Sequence, residues 1–307
     1  MRVSFFGTSE FAVPTLRALV AAGHEVRPVV TAPPKPSGRG RRLMPSPVET
    51  CAQELGLEVM APQTPNAPEF VSSLKSGQPD IGVLVAYGFI LRQPLLDAPR
   101  LGFLNVHPSL LPAFRGAAPI QRALMAGMKH TGVSVIAMAR AVDAGDVVAR
   151  VVVDIEPDET SGDLSARLSD IGARLLLESL QRVGVGSLAR IAQDPTLVTN
   201  APKIRKSDRV VDWTRTAEQV HDAIRGLSPD PGAVTTFRNR QLVLLRARMA
   251  SGTAEPGQLV ADGGDLKVGT GSGLVELLEL RPEGGRTQTG RAFINGHRPG
   301  PDERLTQ

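Results

Sequence analysis

IGVLVA, residues Ile81–Ala86, is a continuous apolar run bounded by polar residues. A run of this length reads as a strand buried on both faces, the position of a central strand in a parallel sheet. Arg2–Gly7 (RVSFFG) reads as a second buried strand, ended by Gly7, and Glu25–Thr31 as a third. Between these two, Ser9 is placed to cap a helix whose apolar face is Phe11, Val13, Leu16, Leu19 and Val20, stopping at Gly23. A helix over Pro47–Leu55, a short strand at Leu57–Ala61 and a helix over Ala67–Lys75 precede the central run. After it come a strand at Gly102–His107 and a helix around Pro119–Ala126. Strands at Val133–Met138 and Val147–Ile155, separated by an Asp/Gly turn, lead to a long amphipathic helix over Asp163–Val183. Strands alternating with helices through short turns predict a Rossmann-like α/β domain with a mostly parallel sheet and right-handed crossovers.

From about Gly184 to Ser207 the periodicity fades into Gly, Pro and Thr. Short strand-like pieces follow at Val234–Phe237, Leu242–Arg246, Gly257–Ala261, Asp265–Val268 and Gly273–Leu280, separated by Gly-rich turns. They predict a smaller, OB-like β-barrel. The expected organisation is a first domain over 1–188, a linker over 189–207 and a second domain over 208–307, and 307 residues suit two domains.

Composition sets further bounds. An apolar content of 41% and a charged content of 21% are globular values, which excludes a disordered or fibrous chain. Aromatics make up only 4%, with Trp213 and Tyr87 the single residues of their kinds, so the cores are expected to be built from Leu, Val, Ala and Ile. Cys51 has no partner for a disulfide, and no Cys/His cluster has zinc spacing, so no metal is expected. The start lacks the apolar region of a signal peptide, and no apolar run approaches the ~20 residues of a membrane span. A cytoplasmic protein without a membrane partner is the expectation. The net charge of +4 is too small to argue for nucleic acid by itself. Its distribution is more telling: Pro33–Pro47 (PPKPSGRGRRLMPSP) carries Lys35, Arg39, Arg41 and Arg42 and no acid. That composition fits a phosphate-binding arm, and it fits a solvated surface loop equally well.

Ligands of an open parallel sheet bind outside the carboxyl ends of its strands. In LNVHPSLLP, Asn105 and His107 stand two apart at such an end, so both side chains point to the same face. Asp146 closes the turn Asp143–Ala144–Gly145–Asp146 between two later strands. An amide, an imidazole and a carboxylate form a donor–base set for carbonyl chemistry. The same spacing also fits a structural Asn–His pair with turn-forming aspartates.

Leu104–Gln121 (LNVHPSLLPAFRGAAPIQ) followed by Asp143–Asp146 (DAGD) resembles the formyltransferases that use 10-formyltetrahydrofolate. Their pattern is Asn-x-His, a Ser-Leu-Leu-Pro loop and an Asp on a later turn. Gly7–Pro14 (GTSEFAVP), Gly38–Val48 (GRGRRLMPSPV), Val85–Gly88 (VAYG), Ala201–Lys206 (APKIRK), Val211–Trp213 (VDW) and Phe293–Arg298 (FINGHR) extend the resemblance over almost the whole chain. Together they are similar to the methionyl-tRNA formyltransferases. The resemblance implies transfer of the formyl group of 10-formyltetrahydrofolate, a cosubstrate, to the α-amine of initiator methionyl-tRNA for translation initiation. It implies a monomer and no metal. Asn105 and His107, when protonated, would donate to the carbonyl oxygen, and Asp146 would orient His107, favour its charged form and help remove the amine proton through a water, with Asp143 a turn former. Ser109, Leu110, Leu111 and Pro112 would form the folate loop, and backbone around Val85, Tyr87 and Gly88 would meet the pterin. Lys35, Arg39, Arg41 and Arg42 would reach the acceptor end of the tRNA, with Lys203, Lys206 and the carboxyl-terminal domain also on the tRNA.

The chain departs from the family pattern at Ala113 and Phe114, where a basic residue and Trp are frequent. It departs again at Ala139–Arg140, where an acid is usual, and at Asp230, where an aromatic is common. Formyltransferases acting on glycinamide ribonucleotide resemble only the first domain, and those acting on amino sugars often carry a fused dehydrogenase for which there is no room. A non-catalytic RNA-binding protein would have no need of Asn105, His107 and Asp146.

Overall fold

A computed structural model of the chain describes residues 1–37, 42–300 and 302–306. The strands of its first half are β1 (Arg2–Gly7), β2 (Glu25–Val30), β3 (Lys35–Ser37), β4 (Arg42–Met44), β5 (Val59–Met60), β6 (Ile81–Val85), β7 (Phe103–His107), β8 (His130–Ala137) and β9 (Val147–Asp154). The helices are α1 (Val13–Ala21), α2 (Pro47–Glu54), α3 (Pro68–Ser76), α4 (Gln93–Leu96), α5 (Pro119–Met125) and α6 (Ser161–Gly184). The chain divides into two units: Met1–Gly116, Gly132–Val153 and Ser165–Asn200 form one, and Ala117–Thr131, Asp154–Leu164 and Ala201–Gln307 the other. The boundaries follow contacts rather than chain order.

The first unit is built on a sheet of order β5-β2-β1-β6-β7-β8-β9. β5, β2, β1, β6 and β7 are parallel, and β8 runs antiparallel to β7. The strand order reverses between β1 and β6, which leaves a crevice at the carboxyl ends there. Close packing explains the residues used. A Cβ at Gly82 on β6 would lie 2.3 Å from the Phe103 ring on β7, so only glycine admits that ring. Phe6 sits edge-on to Phe70, Tyr87 and Phe103 at 6.4, 5.4 and 5.2 Å. Several of the few aromatics thus gather in this core, while Trp213, Phe237 and Phe293 pack in the core of the second unit, so aromatics add to the Leu, Val, Ala and Ile expected there.

Other expectations are also adjusted. Ser9 makes no cap bond; α1 follows a short 3-10 turn and begins at Val13 with Pro14 next, whose fixed φ suits a first turn. Ser46 caps α2 instead, accepting from Glu49 N at 2.9 Å. Within the basic segment read as a loop, β3 and β4 pair antiparallel, with Lys35 opposite Met44 and Ser37 opposite Arg42.

The second unit holds β10 (Ala233–Phe237), β11 (Arg240–Ala250), β12 (Leu259–Asp262), β13 (Asp265–Gly269), β14 (Leu274–Pro282) and β15 (Gln288–Thr289), with α7 (Ala217–Leu227) and α8 (Gly290–His297). Its antiparallel sheet runs β10-β11-β14-β13-β12, with β15 on β14. The carboxyl-terminal residues join the two outer strands. Thr306 exchanges backbone hydrogen bonds with Thr236 on β10, while Leu259 N of β12 donates to Glu303 O at 2.9 Å. α7, absent from the sequence reading, opens with a capping box of Thr216 and Gln219. It buries Val220, Ile224 and Leu227 in a core with Trp213, Leu244 and Leu277. No described helix is long and apolar enough to cross a membrane.

Candidate active site

β7 carries Asn105 and His107 to its carboxyl end in the first unit, where both side chains are buried. Asn105 pairs in register with Leu84 on β6 and Ile136 on β8, so its position is fixed from both sides. His107 Nε2 lies 3.0 Å from the Phe114 carbonyl. A carbonyl only accepts, so Nε2 carries the proton and the ring orientation is set. Phe114 has φ of +58°, a left-handed conformation that a bulky residue rarely adopts. The loop therefore holds this carbonyl at some expense, and the contribution is backbone, which leaves the side chain at 114 open to departure from the family pattern.

The carboxylate brought to this pair belongs to Asp143, not to Asp146. Asp143 Oδ1 stands 3.6 Å from His107 Nδ1 and 3.4 Å from Asn105 Nδ2. Its Oδ2 accepts from Gly116 N at 2.9 Å. Asp146 makes no side-chain hydrogen bond or ion pair with any described residue, and its carbonyl accepts from Ala137 N. Turn geometry is the reason. Asp143 has φ of +51°, which swings its side chain toward β7 and is a conformation Asp tolerates better than most residues. A Cβ at Gly145 would lie 1.8 Å from the Ala137 carbonyl, so the turn packs flat against β8 only with glycine there.

The Asn105 amide and, when the ring is protonated on both nitrogens, His107 Nδ1 aim at one oxygen over distances longer than a good hydrogen bond. Such a convergence marks where an oxygen acquiring charge finds two donors. Beside it opens a mainly apolar cleft lined by Leu84, Phe89, Ile90, Met138, Ala139 and Val142, with Asn105 and Asp143 also on its wall. Ile90 and Val142 are 67% and 57% exposed, and apolar side chains at the rim of a cleft mark a binding surface. Sequence reading missed this wall. Its signal was an apolar stretch placed immediately before the Asp turn.

The residues expected to bind folate divide. Ser109 and Leu111 are fully buried. Ser109 Oγ donates to Ala113 O at 2.6 Å, and Ser134 on β8 links Ser109 O to Leu111 N. These side chains shape the loop that presents Phe114, and none of Ser109, Leu110, Leu111 and Pro112 lines the cleft. Val85 and Tyr87 are buried in the core, where burial pushes the Tyr87 phenol well above its ordinary range. The Tyr87 carbonyl accepts from Thr8 Oγ1, and Gly88 is exposed with φ of +91°. Of the basic residues, Arg39 and Arg41 lie outside the described residues; Lys35 and Arg42 stand on β3 and β4. Lys203 and Lys206 are exposed in the second unit. Among the described residues no His/Cys/Asp/Glu group has the arrangement of a metal site.

An amide, an imidazole and a carboxylate at a strand end beside an apolar cleft suit acyl transfer, and comparison with known proteins places the chain. Residues 1–180 match the model of the formyl transferase family and residues 203–298 that of the formyl transferase C-terminal domain; the chain belongs to this family. Its relatives are more particular. A protein of Heliobacterium modesticaldum named methionyl-tRNA formyltransferase is 44% identical, over 99% of this chain and 100% of its own length. A protein of the same name from Roseobacter denitrificans is 45% identical over 96% of each. Among solved structures, HypX from Aquifex aeolicus in complex with tetrahydrofolic acid superposes with a TM-score of 0.70 at 17% identity. It covers 98% of this chain, which spans 48% of that structure, and shows a shared fold.

Proposed function

We propose that this enzyme transfers the formyl group of 10-formyltetrahydrofolate to the α-amino group of initiator methionyl-tRNA, for translation initiation. The observation that carries the reading is the convergence of Asn105 Nδ2 and His107 Nδ1 beside the Asp143 carboxylate. Kinship along the full length with methionyl-tRNA formyltransferases supplies the two substrates. The cleft next to Asn105 suits a flat heteroaromatic ring, with apolar walls and polar groups at one end.

The chemistry asked of the protein is modest. The amine attacks the formyl carbon, the carbonyl oxygen takes up negative charge, and the bond from carbon to the folate nitrogen breaks as that nitrogen gains a proton. Asn105 Nδ2 and, in the ring protonated on both nitrogens, His107 Nδ1 donate to the oxygen as its charge grows, in a buried place where such bonds are strong. The Phe114 carbonyl holds the far side of the ring while this happens. The attacking amine must lose a proton, and Asp143 is the carboxylate at hand, directly or through a water. Asp143 thereby takes the role that the sequence alone gave to Asp146.

The basic segment with Lys35, Arg39, Arg41 and Arg42, together with the exposed Lys203 and Lys206, supplies cations for the tRNA backbone. The test compares charged initiator tRNA with free methionine as acceptor, using purified protein and 10-formyltetrahydrofolate. Only the charged tRNA is expected to be formylated. In the same assay His107→Ala is expected to lower the rate by at least ~10². Near-normal turnover by a folded His107→Ala protein would remove the imidazole from the mechanism.

A further inference from the structure

Gln193 lies in the stretch that sequence reading took for a linker, yet its side chain reaches the aspartate turn. Its Nε2 donates to the Asp143 carbonyl at 2.8 Å and to the Gly145 carbonyl at 2.7 Å. Its Oε1 accepts from Arg115 Nε at 3.0 Å and Arg115 Nη2 at 2.6 Å. Both amide hydrogens and the amide oxygen are therefore engaged. The partners are telling. Arg115 stands between Phe114, whose carbonyl fixes His107, and Gly116, whose N–H holds Asp143 Oδ2.

The backbone around Gln193 is tied to the same two loops. Ile191 and Val147 exchange N–H···O bonds of 2.9 Å, just beyond the aspartate turn. Thr199 Oγ1 accepts from Phe114 N at 2.8 Å, and Thr199 O accepts from Arg115 N at 2.9 Å. Asp143 needs such support, because its positive φ is held against an intrinsic preference for other conformations.

We infer that Gln193 is a positioning residue for the formyl-transfer reaction: its amide brackets the turn bearing Asp143 to the loop bearing Phe114 and Gly116, and so sets the Asp143–His107 geometry. The inference rests on the assignment of Asp143 made above. Gln193 touches no reacting atom and acts through the carbonyls it holds. A displacement of the reacting groups by about 1 Å is enough to cost a large part of the rate.

The experiment compares Gln193→Ala, Gln193→Glu and Asp143→Asn for kcat, KM of both substrates, the pH profile of kcat and thermal midpoint. Gln193→Ala is expected to lower kcat about 10–10²-fold, the range for groups that orient a catalytic residue, with KM values within about twofold and an altered pH profile. Gln193→Glu keeps the size and the Arg115 contact but loses both donors, so it is expected to fall nearly as far. In the Asp143→Asn background Gln193→Ala is expected to add little, because both changes act on one unit. Unchanged kcat and pH profile in either folded Gln193 variant overturns the inference, as does a loss confined to KM. Full activity of Asp143→Asn instead removes the assignment of Asp143 itself. If Gln193→Ala fails to fold, Gln193→Glu decides alone.

Discussion

At the residue scale the site depends on which of two aspartates in one four-residue turn faces the imidazole. Asp143→Asn is expected to lower formyl transfer by at least ~10² with the fold retained, while Asp146→Asn costs less than about tenfold. Steady-state kinetics of the two variants side by side check this, and the reverse order would return the role to Asp146. The DAGD turn was legible as part of the site, but the choice within it was not. Strand residues announce their face by alternation, which put Asn105 and His107 on one face, while the resemblance gave them their proposed role. In a turn the direction of a side chain follows from φ and ψ, and the left-handed conformation of Asp143 leaves no mark on the sequence beyond the residue type.

At the element scale, strand β6 was legible because burial on both faces writes a continuous apolar run, and β1 and β7 read as strands although Ser4, Asn105 and His107 interrupt theirs. α7 was missed, although its cues are present: Thr216 and Gln219 three apart, then Val220, Ile224 and Leu227 on one stripe. It lies directly before a series of strand-like pieces, and the expectation of an all-β domain outweighed a single helix. Thr216→Ala is expected to destabilise the second unit by about 1 kcal/mol, the usual effect of losing an N-cap. Denaturant unfolding followed at Trp213, which packs in the same core, measures it. The region after Gly184 carried no readable pattern. Gln193 and Thr199 act there through hydrogen bonds to residues some 50 to 85 positions earlier, and such bonds impose no local period.

At the scale of the whole molecule, one carboxylate links pH to the closure of the antiparallel sheet. Glu303 is held by Arg238 and by Gly300 N, which lower its pKa to about 2 from an ordinary 4.5. A carboxyl whose pKa is lowered on folding contributes stability that is complete above its unfolded value and is lost as pH falls through the folded one. The window is therefore from about 4.5 down to about 2. Amide exchange at Leu305 and Thr306 is expected to quicken through it, and Glu303→Gln is expected to show part of that loosening already at pH 7. If exchange there is indifferent to both changes, the ion pair does not hold the tail.

The tail that Glu303 anchors covers the outer edges of β10 and β12, satisfying the N–H and C=O of Thr236 on the first and the N–H of Leu259 on the second. Once it lifts away, both strands present unpaired backbone to solvent, and such an edge is a template for the edge of another molecule. Acid or removal of the last residues should therefore promote self-association through strand addition, with light scattering rising at concentrations where the intact chain stays clear.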